Sequence, residues 1–382
     1  MDFDLTPEQQ AIQALCRDFA REEVAPRAQA MDAAAEFPYD LVAKMAQLGL
    51  MGLPFPEEWG GAGADTVSYA LAVMEIARAD ASTAITLAAH VSLGATPFAL
   101  FGTAAQKETF LIPLARGEKL WGFGLTEPQA GSDAAATSTR AELRDGNWVI
   151  NGTKAFITNS GTTITGGTTI TAVTGTGPRG RSEISTIIVP QTTPGFTRSA
   201  PYKKMGWRAS DTRELAFADA TVPEDHLLGE RGHGLKQFLR VLDGGRISVA
   251  ALSVGLAIGA YDQALSYAKE RRQFGQAISK FQAVQFKLAD MLTQIEHAKL
   301  MVFKAAWEKD HGRDFSLSAS LAKLYSAEIS RHVVNEAVQI HGGYGFMDEY
   351  PVSRMYRDQK INEIGEGTNE VQRLTIARLL GL

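Results

Sequence analysis

The residues able to do chemistry in this chain sit in four glycine-flanked segments. Ile364-Gly365-Glu366-Gly367-Thr368-Asn369-Glu370 puts a carboxylate between two glycines, with space on both sides, just before a final helix expected over residues 370–380. That carboxylate could be a base, or one of the many solvated acids that open helices. Gly124-Leu125-Thr126-Glu127-Pro128-Gln129-Ala130-Gly131-Ser132-Asp133 joins small residues to hydroxyls. Its backbone N–H groups could approach an anion, with Thr126 and Ser132 as added donors; an interdomain linker has the same composition. Lys154-Ala155-Phe156-Ile157-Thr158-Asn159-Ser160 sets an aromatic side chain ahead of polar ones along a strand. A flat ring could lie there, or the segment could be an ordinary edge strand. Gln339-Ile340-His341-Gly342-Gly343-Tyr344-Gly345-Phe346 ends a helix in glycines, which allow close backbone approach or simply cap it.

Other chemistries are missing. The sequence has no Gly-x-x-x-x-Gly-Lys-Ser/Thr loop, no His-Glu-x-x-His pair, no Gly-x-Ser-x-Gly elbow and no Gly-x-Gly-x-x-Gly opening a βαβ unit. The 7 histidines show no ligand spacing, and His341 reads as a helix-end residue. Cys16 is the only cysteine, so neither an intrachain disulfide nor a thiolate metal site is available. With 38 basic and 43 acidic residues the net charge is −5, which gives no general attraction to nucleic acid or anionic lipid. The acidic start Met1-Asp2-Phe3-Asp4 resembles no signal or transit peptide, and the uncharged stretch at 250–261 is too short to cross a bilayer. A cytoplasmic protein without a membrane span is expected.

The elements that must position these segments fall into three zones of the 382 residues. Residues 1–120 read as an N-terminal α-helical domain. Thr6-Pro7-Glu8-Gln9 is a helix start with a capping box, Asp40–Leu48 forms a helix stopped by Gly49, and further helices cover 67–79, 82–93 and 104–116. Residues 121–226 change to short Thr/Val/Ile-rich segments broken by Gly and Pro, with Asp145-Gly146-Asn147 as a hairpin turn. This predicts a middle antiparallel β-barrel or sandwich. Residues 227–382 return to long helices, with one apolar face through Ile247, Val254 and Leu265 and another through Leu288, Ile295 and Val302. A C-terminal four-helix bundle follows. The fold class is multidomain α+β.

Together the four segments, in their order and separation, resemble the acyl-CoA dehydrogenase family over essentially the whole chain. The resemblance implies an FAD enzyme of fatty acid metabolism (β-oxidation). It would convert an acyl-CoA thioester to the trans-2-enoyl-CoA, pass electrons to electron-transfer flavoprotein, and assemble as a homotetramer, a dimer of dimers. It implies that Glu366 takes the α-proton, with burial raising its pKa toward neutrality. Leu125, Thr126, Ser132, Phe156 and Thr158 match flavin and pyrophosphate contacts. Arg272, Phe274, Gln282, Gln339, Gly342 and Gly343 match contacts to a neighbouring subunit's FAD, and Thr368 and Glu370 the last FAD contacts. Ser132, Asp243, Arg246 and Gly367 match acyl-CoA contacts, although Asp243 and Arg246, three apart, could equally form a surface ion pair.

Three positions depart from common family patterns. Phe156 stands where many relatives have Trp. Gly365 stands where many straight-chain enzymes have Tyr, which implies a wider acyl pocket suited to a branched or bulky substrate. Gly245 stands where some members carry their base, leaving Glu366 as the base here. An oxidase of the same fold, and a non-catalytic FAD-binding relative, are the alternatives. The chain is shorter than most acyl-CoA oxidases, and the retained Glu366 with a charge of −5 argues against the second.

Overall fold

The computed structural model describes residues 3–177 and 180–382; Met1 and Asp2, half of the acidic start, lie outside them. The helical start is built from α1 (Pro7–Phe19), α2 (Ala28–Ala34), α3 (Tyr39–Gln47), α4 (Thr66–Ala79), α5 (Ala81–Ala89), α6 (Thr96–Phe101), α7 (Ala104–Gln106) and α8 (Ile112–Ala115). The Thr6 hydroxyl accepts from the Gln9 N–H while the Gln9 side chain reaches back to the Thr6 N–H, the expected capping box. Two helical stretches are less regular than their sequence suggested. A π-helical segment, His90–Ala95, joins α5 to α6, and another, Lys107–Leu111, joins α7 to α8. Such widened turns are frequent at functional sites.

The middle zone holds β1 (Leu120–Gly124), β2 (Arg140–Arg144), β3 (Asn147–Thr158), β4 (Thr165–Thr176), β5 (Ser182–Pro190), β6 (Phe196–Arg198) and β7 (Thr212–Pro223). They form one curled sheet in the order β1-β4-β2-β3-β7-β6, with β5 on β4. Asp145 and Gly146, at φ +48° and +75°, make the tight turn between β2 and β3. The sheet is antiparallel except where β1, and one residue of β2, run parallel to β4. Trp148, Ile150, Ile157, Ile170, Leu215 and Phe217 fill its own core.

Four long or terminal helices follow: α9 (Gly234–Glu270), α10 (Gln282–Asp310), α11 (Ser316–His341) and, after α12 (Pro351–Gln359), α13 (Asn369–Leu379). A small hairpin of β8 (Arg272–Gln273) and β9 (Gln276–Ala277) links α9 to α10. The stretch at 250–261 is part of a 37-residue helix, much longer than its uncharged core. This helix and Ala81–Phe101 are long and apolar enough to cross a membrane, but 78% and 72% of their apolar windows are buried within the protein, as in core helices. Gly255 makes that burial possible: a Cβ there would fall 2.2 Å from the Met74 carbonyl oxygen, so α9 lies directly on α4.

Candidate active site

Glu366 is the centre of the site. It lies on the turn between α12 and α13 with φ +53°, followed by Gly367 at +91°. The side chain is half-buried, and its Oε2 is shut off from solvent without a hydrogen-bond partner. Burial pushes the carboxyl up to about 7, with Lys323 and Arg246 pulling the other way. It is therefore not one of the solvated helix-start acids. The carboxylate sits directly over α9: a Cβ on Gly245 would lie 2.1 Å from Glu366 Oε2 and 3.3 Å from Leu93 in the π-helical segment. Positions 245 and 366 thus address one point in space, and a side chain at one excludes a carboxylate from the other.

Asp243 and Arg246 are not a surface pair. Arg246 is buried, donates to Asp243 Oδ1 at 2.5 Å and reaches Ser320 at 3.3 Å. Ser316 donates to the other Asp243 oxygen. Burial raises the Asp243 carboxyl and lowers the Arg246 guanidinium. Gly367 and Thr368 continue the Glu366 turn. The Thr368 hydroxyl caps α13 by accepting from the Val371 N–H, and Glu370 projects to solvent in the first helical turn. Gly365 leaves room beside the base, since a Cβ there would meet only Ile361, at 3.4 Å or more.

The second group of candidates surrounds β3. This strand pairs with both β2 and β7, so it is central in the sheet and not an edge. Its register slips between Lys154 and Ile157, and Phe156 sits in the slip at φ +61°. Bulges of this kind re-aim side chains: the Phe156 ring is 65% exposed, 5.3 Å from the Tyr202 ring. Alongside runs the loop with Leu125 and Thr126, whose carbonyls accept from Lys154 Nζ (3.3 Å) and the Ala155 N–H (2.8 Å). A buried ion pair anchors that loop. Lys154 Nζ lies 2.7 Å from Glu127 Oε1, the two side chains being 0% and 1% exposed. Glu127 also accepts from Thr137, Ser138 and Thr139. Burial pushes the Lys154 ammonium down to about 8, while Lys154 and these donors overcome burial and hold Glu127 well below the usual carboxylate range. Ser132 lies further along the same loop, exposed.

The third group lies apart, at the far end of α11. A groove of about 550 Å³ is lined by residues including Arg271, Gln273, His341, Gly342, Gly343 and Tyr344. The β8–β9 hairpin and the α11 terminus, distant in sequence, thus meet there. Arg271, stacked 5.3 Å over the Tyr344 ring, lines the groove, whereas Arg272 turns to the Gly275 carbonyl. Phe274 occupies the hairpin tip at φ +53°, 93% exposed; Gln282 at the start of α10 and Gln339 near the end of α11 are exposed as well. These uncovered rings and the glycine-lined groove fit a large cofactor with a flat ring system.

Sequence reading passed over several residues of this neighbourhood. Lys323 is fully buried behind the Glu366 turn; its signal was a lysine among the small residues Ala319, Ala322 and Ser326. Lys154 opens the Lys154–Ser160 segment, where nothing in the sequence marks it as buried. Leu93 gave no signal, because nothing in the sequence marks the widened helical turn that places it.

Fold and site define an α–β–α protein with a half-buried, partnerless carboxylate at the centre of its candidate site. Family models for the N-terminal, middle and C-terminal domains of acyl-CoA dehydrogenase match residues 6–118, 122–220 and 232–381. The chain is 55% identical to the probable acyl-CoA dehydrogenase YngJ of Bacillus subtilis (strain 168) over 380 residues, covering 100% of both. Butyryl-CoA dehydrogenase from Megasphaera elsdenii matches it at TM-score 0.97 and 45% identity, with 100% of each chain covered. An acyl-CoA dehydrogenase complexed with FAD from Bacillus anthracis matches at TM-score 0.92 and 36% identity, covering 99% of this chain and 67% of that one. The chain belongs to the acyl-CoA dehydrogenase family, whose members are FAD-dependent oxidoreductases.

Proposed function

We propose that this chain removes one hydrogen from each of the α and β carbons of an acyl-CoA thioester, giving a trans-2-enoyl-CoA, with Glu366 as the α-proton base. The observation that carries this reading is the partnerless, water-excluded Oε2 of Glu366 above Gly245. A base works best when its pKa lies near the working pH, and burial brings this one to about 7. A proton taken at Oε2 neutralises a charge that the site leaves poorly solvated. The backbone N–H of Glu366 serves the thioester oxygen as negative charge develops there. Bound FAD supplies the acceptor for the β-hydrogen, transferred as hydride.

Leu125, Thr126, Ser132, Phe156, Thr158, Thr368 and Glu370 hold the chain's own FAD. Arg272, Phe274, Gln282, Gln339, Gly342 and Gly343 hold that of a neighbour, which requires a homotetramer or at least its dimer. Arg271 and Gln273 join this second set on the strength of the groove they line. Asp243, Arg246, Ser132 and Gly367 contact the acyl-CoA. Butyryl-CoA dehydrogenase among the similar proteins favours a short acyl chain, and the open space at Gly365 leaves room for a branch beside the base. Electron-transfer flavoprotein accepts the electrons, and the site of action is the cytoplasm. The division at 1–120, 121–226 and 227–382 goes with this reading.

Glu366→Gln tests it. The variant should keep its FAD, yet show no bleaching of the flavin absorbance when mixed anaerobically with butyryl-CoA. Normal bleaching would remove Glu366 from the role.

A further inference from the structure

We propose that Lys323 is a positioning residue for the base: its ammonium grips the turn that carries Glu366 and keeps the carboxylate aimed over Gly245. The proposal rests on the reading of Glu366 as the base. Lys323 is 0% exposed, on the inner face of α11. Its Nζ donates to the Gly367 carbonyl at 2.9 Å and to Asn369 Oδ1 at 3.2 Å. Both acceptors belong to the four residues that begin with Glu366. A buried lysine is costly, and an apolar side chain of similar volume would generally serve a helix bundle as well or better. The retained charge here is therefore spent on holding that turn.

The turn needs holding. Glu366 and Gly367 are consecutive residues at positive φ, and a non-glycine residue persists there only where its surroundings over-determine it. Lys323 takes the Gly367 carbonyl from one side. Gln372 Nε2 takes the same carbonyl at 3.0 Å and the Glu366 carbonyl at 3.3 Å. With these carbonyls tied to α11 and α13, the Glu366 side chain lies over α9 at Gly245.

Lys323 also acts through charge. Burial pushes its ammonium down to about 8, and Glu366 is the strongest attraction opposing that fall. Facing the pair are Arg246 from α9, Tyr69 from α4, and Glu363 and Glu370 from the segment of Glu366 itself. Asp243 and Arg378 act on Arg246 one step further out. Arg246 is engaged by Asp243, so Lys323 is the cation whose hydrogen bonds lead to the base. Lys323 is the stronger of the two charges holding the Glu366 carboxyl down against burial, so removing it raises that carboxyl.

The test compares Lys323→Met, Lys323→Gln and Lys323→Arg holoenzymes with the parent. Flavin reduction by butyryl-CoA is followed by rapid anaerobic mixing across pH. In the Met variant the acidic limb should move up by about one unit and the plateau rate should fall at least about tenfold. The Gln variant, which can still donate to the Gly367 carbonyl but has no charge, should keep more of the plateau with the same upward shift. The Arg variant should restore the position of the limb. An infrared titration of the Glu366 carboxyl in substrate-free holoenzyme, assigned by its loss in Glu366→Gln, should show the same shift without turnover. If the Met variant does not fold, the Gln variant decides. A folded, FAD-loaded Met or Gln variant with unmoved pH profile and carboxyl titration overturns the proposal. Should Glu366→Gln itself reduce flavin normally, the reading of the base has failed instead.

Discussion

Replacing Glu366 by Gln should make the protein's stability less dependent on pH, in a direction fixed by burial. The carboxyl titrates at 4.5 in an ordinary setting and about 7 in the folded protein. Below pH 4.5 it is protonated in both states and contributes no penalty. As pH rises from there to about 7, the unfolded chain ionises first, so the folded state loses stability; above about 7 the loss is complete and flat. The full displacement corresponds to about 3 kcal/mol, and residual solvent contact of the half-buried side chain trims it to about 2 kcal/mol. Glutamine cannot ionise and behaves throughout like the protonated acid. The stability difference, Gln variant minus parent, should therefore grow by about 2 kcal/mol between pH 4.5 and neutrality. A constant offset from the amide's own hydrogen-bond needs does not alter that growth. Urea unfolding of both proteins at matched concentration and FAD excess, repeated across pH, reads it directly. A difference flat over the whole range would show that Glu366 is solvated, and the argument for it as a tuned base would fall with it.

Two further outcomes follow from the packing. Gly245→Ala puts a methyl 2.1 Å from Glu366 Oε2, so the carboxylate must move; flavin reduction should slow at least about tenfold while FAD content stays unchanged. Unaltered rates would mean that the base does not work from above Gly245. Lys154→Met strands the Glu127 carboxylate in a site where both partners are almost fully buried. This should cost about 3–5 kcal/mol, seen as a lower unfolding midpoint and faster loss of FAD. Adding Glu127→Gln should recover most of it, because the uncompensated charge is then gone while an amide oxygen still accepts from the Thr137–Thr139 donors; no recovery would place the damage elsewhere.

The architecture was legible because it is written in periodicities and punctuation. Thr6, Gly49 and Asp145-Gly146 stop or start elements by local chemistry alone, and the structure uses each as the sequence indicated. The long helices were legible as patterns but not in extent, since α9 continues well beyond its uncharged centre through flanks that alternate buried and exposed positions and mix polar with apolar residues. The candidate site was legible only as separate segments. Glu366 and Gly245 are distant in sequence and nothing local says that one stands over the other. Lys154 and Lys323 were invisible for a different reason: a lysine is a surface residue by default, and only tertiary contacts reveal that these two are buried on carbonyls and carboxylates. Arg271 and Arg272 show the same limit at finer grain, since which of two adjacent arginines lines the groove depends on the twist of a two-residue strand.

Backbone strain ties these observations together. Among the described residues, eight other than glycine have positive φ, and Phe156, Phe274 and Glu366 are three of them. In each case regular geometry would send the side chain elsewhere. In an unbroken β3 the Phe156 ring would follow the strict alternation of the strand; the bulge frees it from that pattern. In a common hairpin turn, Asn or Gly would occupy the place of Phe274, and no ring would stand at the tip. In a helical continuation of α12, Glu366 would follow the helix face instead of folding back over α9. The Glu366 turn is held by fixed partners, since Lys323 and Gln372 bond its carbonyls, and buried Lys154, paired with Glu127, lies two residues before Phe156 in the same strand. Strain of about 1–3 kcal/mol per residue persists only where such partners outweigh it. Buried Lys323 is thus best understood, with Gln372, as the counterweight that lets the Glu366 carboxylate leave regular secondary structure.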